Sequence, residues 1–208
     1  MTNKQGMPCK TVIGLVGSLA LWISAILAGF ALLQQYSLTG APANQADAMA
    51  HAVLNAHRTP GRPLLVMAVH PRCSCTDASV AELGDLLARS RGTCDAMLLQ
   101  FQPLNGTPDW PVDISPRQLG GVKVPVVLDR GGRIGAALGA ATSGHTVFVD
   151  AGGQIRFNGG LTTGREHRGR SPGQNAILDI LGGGRPALAT APVFGCTFGP
   201  PCSSEVLQ

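Results

Sequence analysis

Residues 63–92 read PLLVMAVHPRCSCTDASVAELGDLLARSRG. The first seven are an unbroken apolar run, short enough for a buried strand rather than a helix. His70 and Pro71 end that run, and Cys73 and Cys75 follow at once. Beyond them Val80, Leu83, Leu86 and Leu87 fall on one helical face. Ser74 or Thr76 can cap the helix start, Asp77 and Glu82 suit its N-terminal half, and Arg89 and Arg91 suit its end. The stretch therefore predicts strand, Cys-Ser-Cys, helix. The partial positive charge of a helix N-terminus favours thiolate over thiol, and Arg72 is expected to add to it.

Toward the C-terminus, DAMLLQFQ (95–102) reads as a second strand and VPVVLD (124–129) as a third extended segment. Between them residues 103–121 are a Pro/Gly-rich excursion. Gly131-Gly132 turns the chain into RIGAALGA, a short helix. HTVFVD (145–150), the turn AGG and QIRFNG (154–159) predict a β-hairpin. LTTGREHRGR (161–170) is a basic loop. Ser171-Pro172, a cap followed by proline at the first helical position, opens a helix over 172–181. The rest, GGGRPALATAPVFGCTFGPPC, reads as an irregular tail. The order is a βαβ unit followed by a ββα unit.

Toward the N-terminus, TPGRP (59–63) breaks the chain, and ANQADAMAHAVLNAHR (43–58) has helical composition, with His51 and His57 expected in solvent. No charged residue occurs between Lys10 and Asp47. That gap holds TVIGLVGSLALWISAILAGFALLQ, residues 11–34, and about 20 apolar residues suffice for a helix to cross a bilayer. Lys4 and Lys10 precede it, and no Lys or Arg follows until Arg58. The positive-inside rule then leaves residues 1–10 in the cytoplasm and carries residues 35–208 outside. The apolar run exceeds the roughly 7–15 residues of a signal-peptide core, which favours an uncleaved anchor. Ala41-Pro42-Ala43, an A-x-A sequence, keeps a cleaved signal open. Either way the domain is exported, and the short N-terminus suggests a bacterial inner membrane with the domain in the periplasm.

Composition narrows the classes. Of 208 residues, 44% are hydrophobic and 13% charged, too apolar for a disordered chain. The net charge of +4 is scattered and aromatics are 4%, so nucleic-acid binding is not expected. Six cysteines are present: Cys9, Cys73, Cys75, Cys94, Cys196 and Cys202. Cys9 falls on the cytoplasmic side, which leaves five outside. An odd number in an oxidising compartment predicts a free thiol or a transient partner. Cys94 reads as an inert buried thiol. Cys196 and Cys202 close a small disulfide loop on one reading; on the other, Cys196 is a resolving partner for Cys73 or Cys75.

The run VVLDRGGRIGAALGAATSGHTVFVDAGGQIRFNGG (126–160) is similar to the second half of TlpA/ResA-type membrane-anchored thioredoxin-like proteins and their AhpC/TSA-type peroxiredoxin relatives. Residues 64–90 look like their first half. HPRCSCTDASVAEL, SGHTVFVDAGG and PVFGC resemble, more narrowly, the RedB-labelled proteins. The resemblance implies an α/β fold: a thioredoxin-like three-layer sandwich, a central mixed sheet flanked by helices, behind one N-terminal transmembrane helix. The expected organisation is a cytoplasmic N-terminus (1–10), an anchor (11–34), a linker with a juxtamembrane helix (35–60), the thioredoxin-like domain (61–184) and a Cys-containing C-terminal tail (185–208). Two departures stand out. The family's CxxC is here CxC, and its cis-proline aligns with Gly144. The peroxiredoxin signature P-x-x-x-T-x-x-C is absent.

The function implied is a membrane-anchored thiol–disulfide oxidoreductase exchanging disulfides with partner proteins in the periplasm and needing no cofactor. Cys73 is the expected nucleophile, being the N-terminal and more exposed thiol; Cys75 is the resolving thiol, and Arg72, Gly144 and His145 surround the site. Gly144 is expected where a partner backbone comes close. The alternative is a copper(I)-binding or delivery protein in which Cys73, Cys75 and His145 are the ligands, since two soft thiolates and an imidazole suit Cu(I). A binding module with a degenerate site is the third class, because the missing cis-proline weakens substrate positioning. His145 otherwise reads as a partly buried strand residue, His70 as a packing residue and His167 as solvated.

Overall fold

The apolar run at 63–69 does form a strand, and everything else is arranged around it. In the computed structural model, residues 9–105, 110, 119 and 122–198 are described. The elements are α1 (Cys9–Leu38), α2 (Ala48–His57), β1 (Leu64–Val69), α3 (Cys75–Ser90), β2 (Asp95–Gln102), β3 (Val126–Arg130), α4 (Arg133–Ala137), β4 (His145–Val149), β5 (Ile155–Gly160), α5 (Pro172–Leu181) and β6 (Thr190–Ala191).

The chain divides into two units, Met1–Thr39 and Gly40–Gln208. The first is the α1 helix. Its span Ile13–Leu38 is long and apolar enough to cross a membrane, and Trp22, Phe30 and Leu33 are exposed on it. Such a helix has nothing of its own to bury against, and it fits a single-pass membrane anchor.

The second unit is built on one six-stranded sheet in the order β3-β2-β1-β4-β5-β6. Strands β1, β2 and β3 run parallel; β4 is antiparallel to β1, and β5 to β4. β1 lies at the centre and is buried along its whole length, which is why its sequence is continuously apolar rather than alternating. Alternate residues feed two cores. Leu65, Met67 and Val69 pack with Val80, Leu83 and Leu86 of α3 and Ile177 of α5. Leu64, Val66 and Ala68 pack on the other face with Ala50 and Leu54 of α2 and with Leu138. The result is three layers, helices on both faces of a mixed sheet.

Local chemistry fixes the connections. The buried Asp129 carboxylate accepts the N–H groups of Ile134 and Gly135 at 3.0 and 2.8 Å, capping α4. Ser171 Oγ accepts the Gln174 N–H at 3.1 Å at the start of α5, with Pro172 next, as the sequence indicates. Asp47 caps α2 in the same way.

Two regions differ from expectation. The segment read as a linker is part of the domain from Gly40 onward, because α2 buries Ala50 and Leu54 completely; His51 and His57 do remain exposed. The tail is not irregular over its described length. β6 pairs in parallel with β5. Val193 and Thr197 then bridge to Ala41 and Thr142. The Gly-, Pro- and Ala-rich stretch 182–192 gave no periodic signal for this, since the pairing is set by the sheet edge it joins.

Candidate active site

The site lies where β1 hands over to α3. Cys73 N–H donates to His70 O at 3.1 Å, and Thr76 N–H to Cys73 O at 3.0 Å, so the chain turns tightly through the two cysteines. Ser74 is already helical in backbone (φ −60°, ψ −32°), and its side chain caps nothing. Thr76 does not cap either. Its hydroxyl donates to His70 O at 2.8 Å and contacts Ser143 Oγ at 2.8 Å. The free N–H of Cys75 at the helix start is therefore left to the Cys73 sulfur.

The wall opposite is the tail. Cys196 N–H donates to Cys73 Sγ at 3.2 Å. The tail is held there by Ser143, whose N–H donates to Cys196 O at 2.9 Å, and by the Arg165 guanidinium, which donates to Gly195 O. Gly195 has no alternative: a Cβ there would lie 2.1 Å from Ser143 O.

These contacts set the thiol acidities. Burial alone would push Cys73 up. It is outweighed by hydrogen bonds from the Cys196 thiol and N–H and the Cys75 N–H, with the Thr76 hydroxyl beside them, and Cys73 ends below its ordinary value of 9.0. Cys75 is pushed up by burial and by the charge on Cys73, although the Glu166 N–H hydrogen-bonds its sulfur. Cys196 is pushed up to about 12 by burial and by donating its proton toward Cys73. Cys73 and Cys75 are both buried, and Cys196 is the exposed thiol. That corrects the expectation that Cys73 stands open: the tail, read from sequence as irregular, covers it.

The remaining residues expected in the site fall as follows. Arg72 is turned away, its guanidinium 4.8 Å above the Trp110 ring. Arg165 takes its place, its charge reaching Cys75 and Cys196. Gly144 occupies the expected loop with φ +89°. A Cβ there would meet Ser79 Oγ of α3 at 2.5 Å, so glycine is required by this chain's own helix rather than by a partner's backbone. No cis peptide occurs among the described residues. His145 pairs with Ala68 and so shares the α2-side face, away from α3. Burial, partly offset by a hydrogen bond with Asn158, pushes its pKa down to about 4. The structure thus does not gather Cys73, Cys75 and His145, and among the described residues no three His, Cys, Asp or Glu side chains are placed to hold a metal ion. Cys94 is buried far from the site; Cys202 lies outside the described residues, and so does any bond it makes.

Sequence reasoning missed several members. Thr76 and Ser143 form the hydroxyl pair that joins the cysteine turn to the β4 loop. The loop carrying Arg165 and Glu166 is held by buried Glu82, which accepts the Gly169 N–H at 2.6 Å and the Gln174 amide. A glutamate in the N-terminal half of a predicted helix was the one visible signal for that. His70 does pack, and its company was not legible. It stacks on Phe101 at 5.5 Å and meets Trp110 edge-on at 5.3 Å and Phe198 at 6.3 Å. Phe101 and Phe198 also line a cavity of about 380 Å³.

The βαβ–ββα order around a central β1, with helices on both faces and cysteines at the N-terminus of α3, defines a thioredoxin-like fold. Solved structures share this arrangement of elements. The chain is similar to a hypothetical protein from Sinorhizobium meliloti 1021 (16% identity, TM-score 0.55), over 78% of this chain and 92% of that one. It is similar to an uncharacterized conserved protein from Geobacillus kaustophilus (16% identity, TM-score 0.54), over 77% and 90%. A weaker likeness, TM-score 0.35 at 13% identity over 60% and 83%, is to a secreted Mycobacterium tuberculosis disulfide oxidoreductase. No family model matches the chain, and no curated protein does.

Proposed function

We propose that this protein is a membrane-anchored thiol–disulfide oxidoreductase in which Cys73 is the nucleophile. One observation carries the reading: donors converge on a single buried sulfur, the Cys196 and Cys75 N–H groups among them, and pull its pKa below the ordinary 9.0 despite its burial. The thiolate is the species that attacks disulfides, and a stabilised thiolate is also a good leaving group. The substrate class is a disulfide or dithiol of a partner protein. The His70, Phe101, Trp110 and Phe198 cluster beside the turn offers an apolar shelf for a neighbouring side chain. Release of the partner needs a second thiol, and both Cys75 and Cys196 border Cys73. The reading extends to placement with the TlpA/ResA-type anchored proteins, and the RedB-labelled ones among them. It also extends to α1 as an inner-membrane anchor that leaves the domain in the periplasm.

Two experiments test it. The full chain in detergent should exchange with oxidised glutathione, and Cys73→Ser should lose that exchange; retention would overturn the reading. Alkaline phosphatase fused after Gln208 should be active in a bacterial host, and silence there would remove the periplasmic placement.

A further inference from the structure

We infer that the reversible disulfide of this site joins Cys73 to Cys196, so that the C-terminal tail, and not the second cysteine of the CxC pair, supplies the resolving thiol. This rests on the exchange reading above and specifies its chemistry.

Three observations carry it. Residues 73–76 form one helical turn: Ser74 is helical in backbone, and Thr76 N–H bonds to Cys73 O. The Cys75 thiol reaches the Cys73 sulfur as a hydrogen-bond donor, but a disulfide needs Cβ atoms about 3.5–4.5 Å apart, closer than residues two apart on a helical turn stand, so a 73–75 bond requires the start of α3 to unwind. The Cys75 sulfur also takes the Glu166 N–H on the loop side. Cys196 faces Cys73 across the site, with its N–H on the Cys73 sulfur at 3.2 Å. Its position is built rather than incidental. Ser143, Arg165, the β6 pairing and the Thr142–Thr197 bridge all pin the tail at this place.

The steps balance as follows. The Cys73 thiolate attacks one sulfur of a partner disulfide; a Cys73–partner bond forms, and the other partner sulfur leaves as a thiolate and takes up a proton. Cys196 gives up its proton and attacks Cys73 Sγ, the Cys73–Cys196 bond forms, and the first partner sulfur leaves. The partner gains two electrons and two protons; the two cysteines supply both electrons, Cys196 supplies one proton, and solvent returns the other, which Cys73 gave up on ionising. An external dithiol reverses this at Cys196, the exposed sulfur, displacing Cys73 as the stabilised thiolate.

The test uses the reduced full chain in detergent, treated with one equivalent of oxidised glutathione, quenched in acid, alkylated and mapped by mass spectrometry. The expected wild-type product is a Cys73–Cys196 linked peptide. Cys75→Ser should give the same product. Cys196→Ser should lose it and accumulate a Cys73–glutathione adduct. A Cys73–Cys75 or Cys196–Cys202 linkage in wild type overturns the inference while leaving the exchange reading intact. So does a Cys196→Ser protein that clears the adduct as fast as wild type. A Cys73 that takes up glutathione in no variant overturns the exchange reading itself, and the inference with it.

Discussion

Cys73 and Cys94 lie at the two ends of α3, the first just before its N-terminus and the second just beyond its C-terminus. Both are buried to a similar degree, 4% and 7% exposed. Their acidities move in opposite directions. Cys94 is pushed up by burial and by the Asp95 charge, against a hydrogen bond with the Ser90 hydroxyl at 3.6 Å and the Arg62 charge. Cys73 is pulled below 9.0 although burial alone would raise it. The difference is the supply of donors, the Cys196 thiol first and the backbone N–H groups after it. A helix start presents unpaired N–H groups, and a helix end presents carbonyls. The tail adds one more donor at the first end and none at the second. Burial raises a thiol's pKa, and only enough donors reverse that.

The comparison can be pressed hardest by removing each sulfur. Cys94→Ser should leave glutathione exchange at the wild-type rate, whereas Cys73→Ser should reduce it to background. Equal loss in both would mean that position on the helix does not matter. Ultraviolet thiolate absorbance of the two single-deletion proteins should separate the pair further. The band removed by Cys73→Ser should titrate below pH 9.0, and the band removed by Cys94→Ser above it.

A third buried group extends the rule to a base. His145 is held neutral by burial, with its pKa pushed down to about 4 from 6.5. Its neutral form is favoured in the fold, so the stabilisation is complete above pH 6.5 and is lost as pH falls through 4. The size is about 3 kcal/mol. Thermal unfolding between pH 7 and pH 4 should show this loss, and His145→Leu should flatten the profile. An unchanged profile would mean that burial is not what holds the imidazole neutral.

Smaller effects come from the donors one at a time. Gly195→Ala forces the tail off Ser143 and withdraws the Cys196 N–H. The Cys73 pKa should then rise toward that of Cys94. Thr76→Val removes one hydroxyl from Cys73 and from Ser143; the cost is about 1 kcal/mol in stability, with a smaller rise in the Cys73 pKa. Denaturant melts and alkylation rates against pH read both quantities, and an unmoved Cys73 in the glycine variant would break the link between tail and thiolate.

The architecture was legible because its determinants are local. The apolar run 64–69, the apolar face of 80–87, the hairpin around Ala151-Gly152-Gly153 and the Ser171-Pro172 helix start each announce an element within a few residues, and each appears where the sequence puts it. The candidate nucleophile was legible for the same reason, since a cysteine between a strand and a helix announces its own position. Arg72 and His145 misled because proximity along the chain is not proximity in space. Arg72 turns back onto Trp110, and the antiparallel register sends His145 to the α2-side face.

The sequence by itself thus determined the order of strands and helices, the apolar span near the N-terminus and the thiol at the start of α3. Those follow from hydropathy period, charge spacing and caps, all read over short stretches. Only the tertiary structure decided which partners that thiol has. Cys196 lies 123 residues from Cys73 and Ser143 lies 67 from Thr76. Neither pairing leaves a periodic trace, because each depends on where the edge strand β6 and the β4 loop lie once the sheet has formed.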